Sequence, residues 1–363
     1  MKRVLTTAAA MTVAAHAAGA GGLDRSGQSI LAIFETGSYA ELSFGAVQPS
    51  VSGTADPIFG GFPSGTMSEN YFSVGAAYKT ELRNGLDIAL IIDQPFGADV
   101  NYPAGTGYFA AGSTASLTST ALTGVLKYRM ANNISIFGGL RYQTLEARVS
   151  VPFVGQYTAA GAPDDALGYL VGVGFEKPEI ALRVALTYAS AITHELDTAE
   201  TLLGFLTFDS LTEIKTPQSV NLEFQTGIAK DTLLFGSVRW VDWTEFVIDP
   251  PNYPLSDPIV SYDSDTVSYA LGLGRRFNEA WSAAVTLGYE APTGGFASNL
   301  GPTDGYKSIG IGATYARDNL KITGGVRYVD IGDAQTTLGF GVSASDFTDN
   351  HAIGAGVKVA WSF

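Results

Sequence analysis

The chain has 363 residues, no cysteine, 46% hydrophobic and 15% charged residues, and a formal net charge of -14. The missing cysteines exclude a disulfide framework and any thiolate metal site, and acidity without clustered Lys/Arg argues against a nucleic-acid partner. Charge far below the roughly 25% of an average soluble domain, set beside 43 glycines and 17 tyrosines, favours an all-β chain with lipid on one side.

Residues 1–20 open with Met1-Lys2-Arg3, continue as an Ala/Val/Leu/Met run and end at Ala18-Gly19-Ala20. That is the pattern of a secretory signal peptide cleaved after Ala20. A transmembrane helix is the alternative, but the apolar core is short and rich in Ala. Residues 21–38 follow, with the apolar cluster Ile30-Leu31-Ala32-Ile33-Phe34. Such a cluster ahead of the first strand is predicted to fold up into a lumen as a short N-terminal hatch; the other reading is a frayed tail. Residues 39–363 form the predicted barrel.

From 39 onward, alternating segments recur. Phe72, Val74, Ala76 and Tyr78 share one face, with Ser73, Gly75 and Ala77 on the other; Asn84-Gly85 is a strong hairpin signal before Leu86, Ile88, Leu90 and Ile92. The same rhythm continues through Ile134 to Tyr142, Leu167 to Phe175, Leu182 to Tyr188, Val220 to Phe224 and Trp281 to Tyr289. It ends with Ile353, Ala355, Val357, Val359 and Trp361 opposite Gly354, Gly356, Lys358, Ala360 and Ser362, before Phe363. Period two with one apolar and one small or polar face marks a strand between two solvents.

Short polar turns fall near 83–85, 131–133, 176–179, 229–231, 277–279 and 316–318. Long connections fall near 51–68, 101–114, 150–165, 196–209, 249–261, 292–304 and 333–348. Six short and seven long connections predict a transmembrane antiparallel β-barrel of about 14 strands with both chain ends in the periplasm. Its lumen is wide enough to need a plug or to conduct.

Pro95 lies inside the third strand, which runs from 88 to about 100, within Gln94-Pro95-Phe96-Gly97. Proline cannot donate to a ladder and a closed barrel has no edge to hide it, so this is either a local break in the wall or the start of an outer loop. Leu202, Leu203, Phe205, Leu206 and Phe208 make an oily string in the predicted fourth outer connection, a candidate contact for apolar ligands or a packing element on the rim. Inward charges are predicted at Glu41, Asp87, Asp93, Arg141, Arg183, Glu223, Arg239, Arg327 and Lys358. Of the three histidines, His16 leaves with the signal, while His194 and His351 sit at strand borders where solvated loop histidines are expected. Neither has a nucleophile positioned by spacing, so no enzyme, catalytic residue, metal or cofactor is predicted. The pairs Gly172/Gly174 and Gly272/Gly274 lie inside strands without a following helix, which excludes a nucleotide loop.

The order of several strings resembles the FadL family of outer-membrane transport proteins. These are Lys127-Tyr-Arg-Met-Ala-Asn-Asn, Phe137-Gly-Gly-Leu-Arg-Tyr, Lys215-Thr-Pro217 ahead of Val220, and Trp240-Val-Asp-Trp-Thr-Glu-Phe246. The resemblance implies passive outer-membrane transport of long-chain fatty acids or similar hydrophobic small molecules, with binding in the lumen and lateral exit at a third-strand kink. On this chain the implied gate is Pro95, Phe96 and Gly97, and the candidate ligand contacts are Ile30, Leu31, Ile33, Phe34, Leu202, Leu203, Phe205 and Phe208. Implied partners are the ligand, outer-membrane lipid and, through the last strand ending at Phe363, the barrel-assembly machinery of Gram-negative cells. The family's Asn-Pro-Ala string before the first strand is replaced here by Phe34-Glu-Thr-Gly-Ser-Tyr-Ala40. A general diffusion porin is the alternative function.

Overall fold

The computed structural model describes residues 23–339 and 341–363. The predicted signal peptide and its cleavage point lie outside these residues, as do the first two residues of the 21–38 segment. Among the described residues, fourteen strands close into one antiparallel barrel. They are β1 Tyr39–Ser50, β2 Tyr71–Arg83, β3 Leu86–Asp93 continued by Gly97–Asn101, β4 Thr114–Arg129, β5 Ile134–Val151, β6 Tyr157–Lys177, β7 Leu182–Ala189 continued by Ile192–Leu202, and β8 Leu206–Thr216 continued by Ser219–Ala229. The remaining six are β9 Thr232–Val241, β10 Thr266–Arg276, β11 Trp281–Glu290, β12 Tyr306–Arg317, β13 Leu320–Ile331 and β14 Asn350–Ser362. Pairing from Tyr39↔Ser362 to Ser50↔His351 closes the barrel and puts both strand ends on the rim that carries the short turns.

Alternation decides what each strand presents. In β14, Ala352, Gly354, Gly356, Lys358 and Ala360 face inward while Ile353, Val357 and Trp361 face out. Leu140 and Leu167 are 65% and 68% exposed on the outer wall; so large an apolar exposure, repeated around the barrel, is stable only against lipid. Aromatic rings bound this band. Tyr78, Tyr128, Trp281, Tyr315 and Trp361 lie toward the short-turn rim, and Tyr142, Tyr169, Tyr188, Trp240, Tyr269, Tyr289 and Tyr328 toward the other. No described helix is long and apolar enough to cross a membrane; the crossing elements are strands.

Two connections differ from the sequence expectation. The predicted loops 150–165 and 196–209 are mostly strand, and only 152–156 and 203–205 connect β5 to β6 and β7 to β8. Pro163, Asp164 and Asp165 look like loop residues because they suit water. They lie where the β5–β6 hairpin stands above the apolar band, and there a strand tolerates them. Three strands are interrupted, β3 at 94–96, β7 at 190–191 and β8 at 217–218, and Pro95 and Pro217 occupy two of the breaks.

Candidate ligand chamber and wall break

The described N-terminal residues 23–38 run inside the barrel. Leu31–Phe34 makes one turn of 3-10 helix, and Ile30, Ile33 and Phe34 are buried against the inward residues Ala77, Ala89, Ile91, Val125, Phe137, Leu170, Ala185 and Ala189. Phe34 meets Phe137 edge-on at 5.7 Å between ring centroids, and the Lys127 ammonium stands 4.5 Å above its ring. Gly174 makes this possible, since a Cβ there would lie 2.7 Å from the Phe34 ring.

Polar groups hold the rest of the segment. Arg239 Nε donates to Asp24 Oδ2 at 2.5 Å, Ser26 Oγ to Asp93 Oδ2 at 2.5 Å and Ser29 Oγ to Glu223 Oε1 at 2.7 Å. Asn221 Nδ2 donates to the Gly27 carbonyl at 2.9 Å, Lys79 Nζ to the Gly37 carbonyl at 3.0 Å, and Arg141 to the Gln28 side chain. Four of the inward charges predicted from alternation therefore tie this segment to β3, β5, β8 and β9. Lys358 instead pairs with Glu41 across the β14–β1 closure at 3.1 Å.

The break in β3 changes the wall. Pairing of β2 with β3 stops at Ala76↔Ile92, so residues 71–75 of β2 have no β3 ladder partner. The N-terminal segment occupies the vacated edge of β3: Arg25 N–H donates to the Pro95 carbonyl and Gly97 N–H to the Leu23 carbonyl, both at 2.9 Å. Arg25 also bridges to Asp99 at 2.6 Å and lies over the Tyr71 ring. Gly97 leaves room for that guanidinium, because a Cβ would come within 2.5 Å of it. Phe96 turns into the lumen against Trp243 at 5.9 Å.

Three cavities line up around this partition. A vestibule of about 420 Å³ sits among the outer connections, lined by Tyr102, Phe153, Tyr253, Phe296, Asn299 and Leu300. Below it, and sharing Ile259 and Leu300, lies a smaller chamber of about 50 Å³ walled by Leu117, Val149, Leu196, Ile214, Val260 and Tyr262, with Leu23 at its floor. Beyond Leu23 to Arg25, a cleft of about 160 Å³ passes from Leu31 and Ile91 inside to Phe44, Val74 and Ile92 on the lipid-facing wall. Burial pushes the Tyr253 phenol up to about 12 and raises that of Tyr262 as well, so both stay neutral. Of the residues around the chamber only Arg148 carries a formal charge, and its guanidinium pairs with Glu146 at 2.7 Å.

Comparison with solved structures identifies the architecture. Over 96% of this chain and 97% of the other, it superposes on a FadL homologue from Pseudomonas aeruginosa with a TM-score of 0.77 at 14% sequence identity. The fold is that of the FadL-type barrels. The FadL-type fold is shared by the toluene transporter TodX of Pseudomonas putida, with a TM-score of 0.64 at 9% identity over 95% of this chain and 98% of that one. It is shared also by the toluene transporter TbuX of Ralstonia pickettii, with 0.64 at 12% identity over 96% of each chain. No protein-family model and no curated protein matches the sequence.

Within this FadL-type barrel the candidate contacts separate into two groups. Ile30, Ile33 and Phe34 pack on the inner wall, and Leu31 lines the lateral cleft. Leu203, Phe205 and Phe208 stand exposed at the tip of the β7–β8 hairpin, and only Leu202 packs toward the lumen cluster. His194 is fully buried rather than solvated, because the strand continues past it and turns its side chain inward. Sequence reasoning passed over the floor residues Leu23 to Arg25 and the chamber residues Ile259 and Val260, and it marked Trp243 and Phe246, which pack in the cluster beside the chamber, only as part of a family-like string. Ile259 and Val260 were available as an apolar pair in a segment counted as outer connection.

Proposed function

We propose that the protein carries uncharged or weakly polar hydrophobic molecules passively across the outer membrane of a Gram-negative cell. The route runs through the vestibule and the chamber to a lateral exit at the β3 break. The observation that carries this reading is the partition: Leu23 borders an apolar chamber, Arg25 borders a cleft that opens on the lipid face, and both are held on the β3 break by main-chain hydrogen bonds. Several neighbours of similar fold are described as transporters or channels for toluene or monoaromatic hydrocarbons, which supports an apolar cargo here. Each CH2 taken out of water gains about 0.8 kcal/mol, enough to concentrate such a molecule in the chamber without an energy source. An ionised carboxylate buried in the same walls would lack a partner and cost several kcal/mol; a fatty acid would have to keep its head among the polar groups of the vestibule or the cleft. Residues 21–38 act as the hatch. A general diffusion pore is disfavoured, because residues 23–38 cross the lumen bound to it from several sides.

The route is tested at β3. Converting Pro95→Val, Phe96→Thr and Gly97→Val lets β3 pair with residues 71–75 of β2 and closes the cleft. Uptake of labelled toluene by a Gram-negative host without hydrocarbon channels of its own is expected to fall about tenfold, as for a gated step that limits the rate. Uptake equal to that of the parent protein removes the lateral exit from the mechanism.

A further inference from the structure

A second interruption of the wall lies on the opposite flank of the chamber, between β6 and β7. Pairing there runs from Lys177↔Leu182 to Leu170↔Ala189 and resumes only at Gly161↔Thr198 for four residue pairs. Ser190 N–H still donates to the Tyr169 carbonyl at 2.9 Å; beyond that bond residues 162–168 and 191–197 face each other without a ladder. Pro163 lies in this stretch and brings no N–H, so the argument made for Pro95 applies to it.

The upper halves of β7 and β8 form a hairpin of their own, paired from Ile192↔Thr216 to Leu202↔Leu206. Both halves are cut from the barrel below at one level, β7 at Ser190-Ala191 and β8 at Pro217-Gln218. On its far edge the barrel ladder of β9 reaches only the lower half of β8. The hairpin is thus a flap with two adjacent hinge points, joined to β6 by four pairs near its tip and by side chains along the gap, and tied on its other edge to the connection after β9 through Glu200–Asn252 and Lys215–Glu245. Ile192 fills the space over Gly168, and Leu196 that over Gly161. Asp164 Oδ2 accepts from the Glu195 N–H at 3.2 Å and from His194 Nδ1 at 3.1 Å. His194 Nε2 lies 3.2 Å from the Gln143 amide nitrogen, and Gln143 Oε1 has no hydrogen-bond partner among the described residues.

We infer that this gap is an entry portal through which uncharged apolar molecules held at the outer membrane surface reach the chamber from the side. Position and lining both serve that role. The lower end of the gap lies at the girdle tyrosines Tyr169 and Tyr188, whose rings are 6.1 Å apart, at the level where apolar solutes collect below the headgroups. Leu196 and Gly161, which close the gap from the inside, are themselves chamber walls. Opening above the Ser190–Tyr169 bond requires displacement of Ile192 and Leu196 and release of both hydrogen bonds to Asp164, while the hairpin keeps its own ladder. The inference rests on the proposed chamber and is independent of the exit at Pro95.

The test uses the absence of native cysteine. Pro163→Cys and Glu195→Cys, both outward and exposed, are joined by a short reducible bis-maleimide in protein held in lipid nanodiscs. Trp243 is kept as the single tryptophan and reports arrival of 1-bromonaphthalene by quenching after rapid mixing. The quenching rate is expected to fall about tenfold with the linker in place, with its final amplitude unchanged, and to recover on reduction. An unchanged rate with full amplitude overturns the portal and leaves the chamber standing. Absence of quenching in both forms overturns the chamber and the portal together. Lipid-phase labelling of Leu196→Cys gives a second readout: Asp164→Ala should raise it severalfold without changing labelling of Ile214→Cys, and equal effects at the two sites count against the portal.

Discussion

Deletion of residues 24–37 turns a barrel without steady conductance into one that passes ions continuously, with a single-channel current about tenfold or more above any leak of the intact protein. The size of the effect follows from what occupies the lumen. A barrel of fourteen strands is wider than the eight-strand case that side chains alone can fill, and here the filling is a separate piece of chain. Its apolar turn packs on Phe137 and Leu170 and its polar residues bind Asp93, Arg141, Asn221, Glu223 and Arg239. Removal takes both away and leaves inward charges facing water, which favours ion passage. Planar-bilayer recording is the check. Equal traces from intact and deleted protein mean that the outer connections, not the N-terminal segment, close the lumen.

The substitution Asp87→Asn should cost the barrel about 3–5 kcal/mol, the penalty for leaving buried partner charges uncompensated. Asp87 lies inside the short-turn end of β3 and receives Lys79 Nζ at 2.6 Å and Lys127 Nζ at 3.4 Å, and all three side chains are almost completely excluded from solvent. Loss of the carboxylate takes the close anion from Lys79 and leaves Lys127 with the more distant Glu176 at 3.6 Å. The same Lys79 holds the Gly37 carbonyl and the same Lys127 covers Phe34, so the damage extends to the seat of the N-terminal segment. Urea unfolding in lipid vesicles measures it. An exposed pair such as Arg148–Glu146 serves as control, since its removal should cost at most about 1 kcal/mol. A loss at Asp87 no larger than at Glu146 contradicts the account.

Much of the barrel was legible because lipid and lumen impose different chemistry on alternate residues. β14 could be read residue by residue, and the six short turns against seven long connections gave both the strand number and the side on which the chain ends lie. The break at Pro95 was legible for a different reason: a residue without an N–H has no place in a closed ladder. Above the lipid band the signal fails. There both faces meet water or protein, so 157–165 reads as loop although it pairs as strand, and His194 looks solvated between Thr193 and Glu195 although it is buried. Docking of Leu23 to Arg25 on β3 left no periodic pattern, because main-chain hydrogen bonds and single long-range ion pairs such as Arg25–Asp99 carry it. The oily string from Leu202 to Phe208 shows the opposite failure. Composition marked it clearly, yet its aromatic members stand at a hairpin tip away from the chamber.

The central claim is that an apolar chamber inside a plugged barrel holds the cargo. Crystals of the protein soaked with 1-bromonaphthalene and measured at the bromine absorption edge test it most directly. The account predicts an anomalous peak between Leu117, Leu196, Ile214 and Tyr262, above Leu23, in a barrel that shows no steady ion conductance. A chamber without bromine, in a barrel that conducts ions with residues 23–38 intact, would contradict it.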